Sequence, residues 1–279
     1  MSVWDDETRP DLPPITLTGW MRVLFRGLPI ACVVFGGLGV LLLVRIVERP
    51  LFGASRPVTP WITQGVCRTV LRLMALSVRV QGRPMSDPGA MVANHTSWLD
   101  IFVLNAQTNL YFVSKAEVAS WPGIGWLARA TGTVFIDREK RREAAQQTAL
   151  FQARLMQGHR LLFFPEGTST DGLRVLPFKT TLFAAFLTDE LRHALHLQAV
   201  SVVYHAPDGQ EPRFYGWWGD MEFAPSLVQV LAQSPQGQID VVYHAPLRVD
   251  DHPNRKTLAA HLENLVREGQ EKARQSRPE

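Results

Sequence analysis

A histidine and an aspartate lie close together where an apolar segment ends. Residues Ala90 to Ala93 are apolar, His95 follows them, and Asp100 comes five residues after His95. A carboxylate beside an imidazole holds one ring tautomer and stabilises the imidazolium, which leaves the other ring nitrogen as a general base for a hydroxyl. The spacing therefore predicts a His95/Asp100 dyad, although in a chain with eight histidines such a pair also arises by chance.

The dyad needs a strand and a helix to position it. The apolar run before His95 predicts a buried strand, and Thr96 or Ser97 can cap a helix that continues to about residue 106. Asp100 would then lie on the first turn of this helix, from where its carboxylate can fold back towards His95. Ser97 suggests a covalent acyl-enzyme as an alternative, but it is only two residues from His95 and has no nucleophile-elbow glycines around it.

Two more polar clusters follow predicted strands. The segment Gly132 to Arg138 ends in Asp137 and Arg138, and this arginine either clamps a phosphate or carboxylate or begins a charged surface run. The segment Phe163 to Gly172 breaks into a turn rich in Gly, Ser and Thr, whose backbone N–H groups can face an oxyanion or a head group. Glu166 in this turn orients a substrate hydroxyl, binds a cation, or simply caps the turn.

A lysine stands at the start of the next predicted helix. Lys179 opposes the helix dipole there, which is unfavourable unless it serves an anion. No histidine or cysteine spacing supplies a convincing third metal ligand, since His193, His196 and His205 fit an exposed face better. We therefore predict no metal.

The whole chain fits one domain with an appendage. It has 279 residues, 46% of them hydrophobic, and from residue 78 onwards predicted strands alternate with predicted helices. This predicts an α/β domain over residues 78–279, with a central mostly parallel or mixed sheet flanked by helices. The net charge of +3 does not require a nucleic-acid partner and suits an anionic membrane surface equally well.

The N-terminal part of the chain predicts membrane association. Residues 1–18 are acidic and rich in proline, which predicts a disordered tail, and residues 19–77 predict membrane-associated helices. The stretch 27–44 carries no charge and is about 27 Å long as a helix, enough to span, form a hairpin or insert shallowly. Because arginines are more numerous on its C-terminal side, we expect the inner (cytoplasmic) membrane, with the catalytic domain facing the cytoplasm.

Four segments together resemble a known family. The sequences N-H-T-S-W-L-D, G-T-V-F-I-D-R, F-P-E-G-T and the apolar strand 199–203 resemble, in order and spacing, the four blocks of the glycerolipid acyltransferases, the lysophospholipid acyltransferase superfamily. The resemblance covers residues 78 to 205. It implies that His95 is the general base and Asp100 its partner. It also implies that Arg138 contacts the head group and that Glu166, Gly167 and Thr168 form a substrate-binding loop.

The resemblance also implies substrates. A fatty acyl group would pass from a thioester of acyl carrier protein or coenzyme A to the hydroxyl of a lysolipid in the membrane, with no cofactor. Members that use a phosphorylated acceptor commonly have arginine where this chain has Ser169, and proline where it has Ser201. The longer string from Phe164 to Lys179 looks like the lyso-ornithine lipid acyltransferase branch, whose acceptor is a zwitterionic amino-acid lipid.

For that acceptor we expect Asp171 to hold the ornithine amine while Arg138 or Lys179 meets its carboxylate. Two alternatives remain open. One is a 1-acyl-sn-glycerol-3-phosphate acyltransferase that makes phosphatidic acid, and the other is a non-catalytic lipid-binding relative with the same fold. The His/Asp pair favours an enzyme over the binding relative.

Overall fold

The structure is a computed structural model that describes residue 4, residues 13–136 and residues 144–276. Asp137 and Arg138 lie outside the described residues, and so does most of the predicted acidic tail. The predicted head-group contact of Arg138 therefore stays a prediction.

The described chain alternates strands and helices, which are numbered here in chain order. The strands are β1 Ser77–Gln81, β2 Gly89–Ala93, β3 Tyr111–Lys115, β4 Val134–Ile136, β5 Leu161–Phe163, β6 His196–His205, β7 Gln238–Tyr243 and β8 Leu247–Arg248. The α-helices are α1 Leu17–Phe52, α2 Thr59–Leu73, α3 Asp100–Gln107, α4 Ile124–Thr131, α5 Ala144–Met156, α6 Asp189–Arg192, α7 Phe223–Ala232 and α8 Arg255–Gln275. Short 3-10 helices cover Ala116–Ser120, Thr180–Leu187 and Val249–Asp251.

The strands form one mixed sheet, as predicted. Its order is β1-β7-β6-β2-β5-β3-β4, with β8 also paired to β6. Neighbours run parallel except where β6 meets β7 and β8. Because β2 and β5 are parallel neighbours, the residues that follow their carboxyl ends emerge at one edge of the sheet. His95 and Glu166 both emerge there.

Two apolar layers cover the sheet. Side chains alternate across β2: Met91 and Ala93 join one core with residues of α2, α3 and α7, while Ala90 and Val92 join the other with residues of α5 and α8. Both faces of β2 are therefore buried, which explains why its sequence is an unbroken apolar run rather than an alternating one.

One predicted helix has a different form. The segment expected to be helical over residues 179–195 is a 3-10 helix, Thr180–Leu187, followed by the short α6. Phe183 and Phe186 are three residues apart, so the three-residue turn of a 3-10 helix places them on one side, and both are fully buried. Thr188 is extended between the two pieces and ends the first.

The N-terminal helices are packed on the domain. α1 is one continuous helix of 36 residues that includes Pro29 and Pro50, so the uncharged stretch does not form a hairpin. Near its start, Arg26 donates to the carbonyl oxygens of Leu231 and Gln233 at the end of α7. Near its end, Glu48 accepts the first N–H groups of α2 and thereby caps it. α1 is thus bonded to α7 of the domain near its start and to α2 near its end.

A broad apolar surface remains outside this packing. In an 18-residue window of α1 the mean hydropathy is 2.6 and only 6% of the residues are buried. By length and composition α1 alone, of the helices described, is able to cross a membrane. The exposed large apolar side chains of α1, together with one each from α2 and α4, include Leu17, Trp20, Met21, Leu24, Phe25, Leu28, Phe35, Leu43, Ile46, Leu51, Phe52, Trp61 and Trp126. An apolar surface of this size indicates membrane association.

Candidate active site

The chain between β2 and α3 carries the predicted dyad. After β2 ends at Ala93, Asn94 bonds across to β6: its Nδ2 donates to the carbonyl oxygen of Val202 and its Oδ1 accepts the Val202 N–H, both at 2.8 Å. These bonds fix the direction in which the chain leaves the sheet. A turn follows, and α3 begins at Asp100, later than the predicted start near Ser97. Asp100 is still on the first turn, as predicted.

The carboxylate of Asp100 folds back onto the turn that carries His95. Its Oδ2 lies 2.7 Å from Nδ1 of the imidazole and also accepts the backbone N–H groups of Thr96 at 2.9 Å and Ser97 at 3.1 Å. A carboxylate can only accept here, so Nδ1 carries the proton and the tautomer is fixed. The side chain of Asp100 is fully buried and that of His95 is 20% exposed. The geometry needed for a dyad is therefore present.

A tyrosine that the sequence analysis missed completes the environment of Asp100. The hydroxyl of Tyr204, on β6, donates to Oδ1 of Asp100 at 2.6 Å. Burial and the adjacent carboxylate raise the pKa of Tyr204 well above its usual value, so the hydroxyl keeps its proton and acts as a donor. Both oxygens of Asp100 are thus held, one by the turn and one by the neighbouring strand.

A phenylalanine covers one face of the imidazole. The rings of His95 and Phe164 are stacked with centroids 4.0 Å apart and an interplanar angle of 12°. Phe112 extends the stack from β3, 6.0 Å from Phe164. Nδ1 is bonded to Asp100, and within the described part of the chain no residue bonds Nε2. The stack and the dyad therefore fix the ring with Nε2 as its reactive nitrogen.

Glu166 is held by backbone groups on two sides. Its Oε1 accepts the N–H of His95 and its Oε2 accepts the N–H of Leu176, each at 2.7 Å. The side chain is 1% exposed. Burial raises the pKa of Glu166 to about 8, even though the two backbone N–H groups lower it. Glu166 thus joins the β5 loop to the backbone of His95, and its predicted contact with substrate stays a prediction.

The loop after Glu166 presents backbone donors. Gly167 has a positive φ of 75°, and its N–H turns back to the carbonyl oxygen of Phe164 at 3.1 Å. In the described structure, the N–H groups of the next two residues, Thr168 and Ser169, donate to no protein acceptor. Thr170 then returns to the site, because its N–H bonds the carbonyl oxygen of His95 at 2.9 Å. The loop is therefore tied to His95 at both ends with two donors between.

The two remaining predicted binding residues lie further along the same loop. Asp171 is buried, with Oδ1 accepting the Leu173 N–H at 2.9 Å and Oδ2 paired to Arg174 at 3.1 Å. Lys179 is the residue before the 3-10 helix, as predicted, and its N–H bonds the carbonyl oxygen of Pro165 at 2.9 Å. The structure therefore gives Asp171 an internal cation, and its contact with an ornithine amine stays a prediction.

Known proteins are similar to this chain in sequence and in fold. Residues 77–203 match the family model Acyltransferase. A Rhodobacter capsulatus protein named lyso-ornithine lipid O-acyltransferase is 58% identical over 268 residues, which cover 96% of each chain. A Neisseria meningitidis protein named 1-acyl-sn-glycerol-3-phosphate acyltransferase is 40% identical over 42% of this chain and 46% of its own.

The chain belongs to the acyltransferase family. The crystal structure of the 1-acyl-sn-glycerophosphate (LPA) acyltransferase from Thermotoga maritima has the same fold, with a TM-score of 0.64 and 21% identity over 94% of this chain and 98% of that one. As an acyltransferase of this family, the protein has a lysolipid acceptor and an acyl donor as its substrates.

The site of this acyltransferase supports base catalysis rather than an acyl-serine. The side chain of Ser97 is fully buried, and its hydroxyl oxygen faces the backbone N–H of Leu99 at 3.4 Å. Residues 13–136 and 144–276 contain no group of three His, Cys, Asp or Glu side chains that could hold a metal ion. Of the three histidines expected on an exposed helix face, His193 is 65% exposed and pairs with Asp250. The expectation is wrong for the other two, because His196 and His205 lie on β6, where His205 is buried and pairs with Asp240.

Proposed function

We propose that the protein transfers a fatty acyl group from an acyl thioester to the hydroxyl of lyso-ornithine lipid. The observation that carries the chemistry is the His95/Asp100 pair, bonded at 2.7 Å with Nε2 left for a substrate. Nε2 accepts the proton of the acceptor hydroxyl while its oxygen attacks the thioester carbonyl. The C–S bond then breaks, and the thiolate leaves as a thiol after taking the proton from His95.

The tetrahedral intermediate needs donors for its oxyanion. The backbone N–H groups of Thr168 and Ser169 have no acceptor among the described residues, and the loop that carries them is bonded to the backbone of His95 on both sides. Donors that are already oriented stabilise a developing charge without reorganisation. These two N–H groups, with Gly167 allowing the turn before them, are our candidates for the oxyanion hole.

The choice of acceptor is supported by two observations. The relative named for lyso-ornithine lipid is 58% identical over nearly the whole chain, whereas the relative named for 1-acyl-sn-glycerol-3-phosphate matches less than half of it. In addition, Ser169 stands where phosphate-using members have arginine. A phosphomonoester carries close to two negative charges and favours a guanidinium at that position.

The ornithine amine requires a carboxylate, and Asp171 is the candidate on the loop. Its present partner, Arg174, has a side chain that is 43% exposed and can move into solvent. We propose that the substrate ammonium exchanges with Arg174 at Asp171, while Arg138 or Lys179 meets the ornithine carboxylate. Asp171→Asn should then raise the KM for lyso-ornithine lipid more than that for lysophosphatidate.

The membrane geometry follows from α1. Arg26 bonds to the end of α7, while Glu48 bonds to the start of α2, so a spanning orientation would require the contacts of Arg26 with the domain to break. We propose that α1 lies in the plane of the membrane surface with its apolar side in the acyl layer, on the cytoplasmic side of the inner membrane. A lysolipid held in the same leaflet would then present its hydroxyl to His95.

The test offers lyso-ornithine lipid and lysophosphatidate separately in mixed micelles, with acyl-acyl carrier protein or acyl-coenzyme A as donor. Wild type and His95→Ala are compared by mass spectrometry of the products. Transfer to lyso-ornithine lipid that is lost in His95→Ala supports the proposal. A preference for lysophosphatidate would establish the alternative acyltransferase, and transfer that does not depend on His95 would refute the mechanism.

A further inference from the structure

A cavity lined mostly by polar residues lies at the edge of the sheet opposite to His95, where the parallel strands begin. It has a volume of about 540 Å³ and is bounded by the α1–α2 turn, the end of α3 and the residues before β3 and β5. Those residues, Asn109 and His159, precede parallel strands, whereas His95 follows one. The cavity is therefore separated from the dyad by the length of a strand, about 16 Å.

Three arginines line this cavity, and none has an acidic partner among the described residues. Arg56 donates to the carbonyl oxygen of Ala130 at 2.6 Å, Arg68 to that of Ala106 at 2.8 Å, and Arg160 to the Thr108 hydroxyl at 3.0 Å. Among the described residues, none of the three pairs with a carboxylate, and no aspartate or glutamate lines the cavity. Each guanidinium group donates one N–H to an uncharged oxygen and has further N–H groups that can donate to a ligand.

The surrounding charges do not cancel this positive potential. Glu48 is the carboxylate that acts on Arg56, but its oxygens are already bonded to Arg45 and to the first N–H groups of α2. A fourth arginine, Arg154, lies 4.6 Å from the centroid of the Tyr111 ring, which faces the cavity. Burial lowers the pKa of both Arg56 and Arg154.

A buried histidine in the wall, His159, has no hydrogen-bond partner in the part of the chain that the structure describes. His159 is 7% exposed, and neither of its ring nitrogens has a hydrogen-bond partner in the described structure. Burial, with Arg154 and Arg56 adding repulsion, lowers the pKa of His159 to about 4. Buried polar atoms in a protein are ordinarily bonded, so unpaired nitrogens beside three arginines indicate that an anion completes this site.

We propose that this cavity is a binding site for a phosphate group. Several guanidinium forks around a space of this size match an anion with several oxygens and more than one charge better than a single carboxylate. Trp61 is at the rim and is 63% exposed, next to the apolar surface of α1 and α2. The phosphate can therefore belong to an anionic lipid head group at the membrane surface or to a soluble phosphoryl compound.

His159 supplies a readout that does not depend on acyl transfer. The protein is labelled at the Cε1 carbon of histidine and titrated by NMR in phosphate-free maltoside micelles, and the His159→Gln spectrum identifies the signal. Inorganic phosphate is added in one arm and phosphatidylglycerol in another, with sodium chloride at equal ionic strength as reference. An anion beside His159 favours the charged ring, so we expect the titration midpoint to rise by about one unit or more.

Variants test whether the arginines hold the anion. Arg68 is exposed and its loss leaves the core intact, so Arg68→Gln should raise the concentration needed for half of the shift about tenfold. Arg160→Gln should do the same, and Arg255→Gln, an exposed arginine outside the cavity, should change nothing.

The two possible sources of the phosphate group, a soluble compound and a lipid, predict different results. A shift with inorganic phosphate supports a soluble phosphoryl ligand, and a shift with phosphatidylglycerol alone supports a lipid head group. The proposal is overturned by the absence of a shift in both arms, by an equal shift with sodium chloride, or by an unchanged response in Arg68→Gln.

Discussion

Replacement of Tyr204 by phenylalanine tests whether the hydroxyl of Tyr204, on the neighbouring strand β6, affects the pH dependence of the His95/Asp100 dyad. The hydroxyl of Tyr204 bonds Oδ1 of Asp100 at 2.6 Å and is the one described donor to that oxygen, whereas Oδ2 accepts three other N–H groups. A hydrogen bond to a charged group contributes about 1.5–3 kcal/mol. Its loss leaves more of the negative charge of Asp100 to act on His95.

The expected effect is on the pH dependence. More negative charge beside the imidazole favours its protonated form, which cannot accept a proton from the acceptor hydroxyl. If about half of the lost bond energy, ~1 kcal/mol, reaches His95, the acid limb of the kcat/KM profile moves up by about 0.7 pH unit. Activity at a pH on that limb then falls about fivefold, while the plateau at higher pH changes less than about threefold.

The assay is the initial rate of acyl transfer at a series of pH values, with Tyr215→Phe as control. The Tyr215 hydroxyl bonds Gln236 and Gly237 instead, and its ring lies 5.6 Å from that of Tyr204. Tyr215→Phe should lower thermal stability without moving the acid limb. If Tyr204→Phe reduces the rate by the same factor at every pH, Tyr204 has a structural role only and the reasoning is refuted.

Three further predictions follow from the same contacts. Asp100→Asn keeps the volume of the side chain but removes the fixed acceptor of Nδ1–H, so kcat should fall about 100- to 10,000-fold with little change in KM, and an unchanged kcat would contradict the dyad. Glu166 has its pKa raised from 4.5 to about 8, so the folded protein holds a proton that the unfolded chain has released, and the free energy of unfolding falls as pH rises across this window. Glu166→Gln should flatten that dependence in chemical unfolding curves, and parallel curves for the two proteins would contradict it. Phe25 is 71% exposed on α1, and Phe25→Glu should weaken binding to lipid vesicles about tenfold or more in flotation assays, whereas Phe25→Leu should not.

The sequence predicted the parts of the fold and site that are local. Six of the seven longer strands could be found because each contains a short apolar run, and β1 because it alternates valine with polar residues. His95 could be paired with Asp100 because one turn separates them. Two-residue β8 has no comparable signal. The segment before α6 was expected to be an α-helix because its apolar content is high, but that content does not distinguish α from 3-10 geometry.

The missed residues depend on contacts that only the folded sheet creates. Tyr204 reaches Asp100 from β6, and Phe164 reaches His95 from the end of β5. Both strands are neighbours of β2, but the order of strands in a sheet cannot be predicted from the local residue pattern. A tyrosine in an otherwise apolar strand was the available signal, because a buried hydroxyl needs a partner. The pairing of Asp171 with Arg174 was within reach of the sequence, since the two are three residues apart.

The two acidic residues that bond His95, Asp100 and Glu166, have different roles. Asp100 accepts the ring Nδ1–H, and Glu166 accepts the backbone N–H of the same residue. Burial and the charge of Asp100 raise the pKa of Glu166 to about 8, against the lowering effect of the two backbone N–H bonds, which favours the protonated form at neutral pH. A neutral Glu166 fixes the backbone of His95 without placing a second negative charge beside the imidazole. The single charge of Asp100 can then govern the proton affinity of Nε2, which is the atom that must take and return the proton.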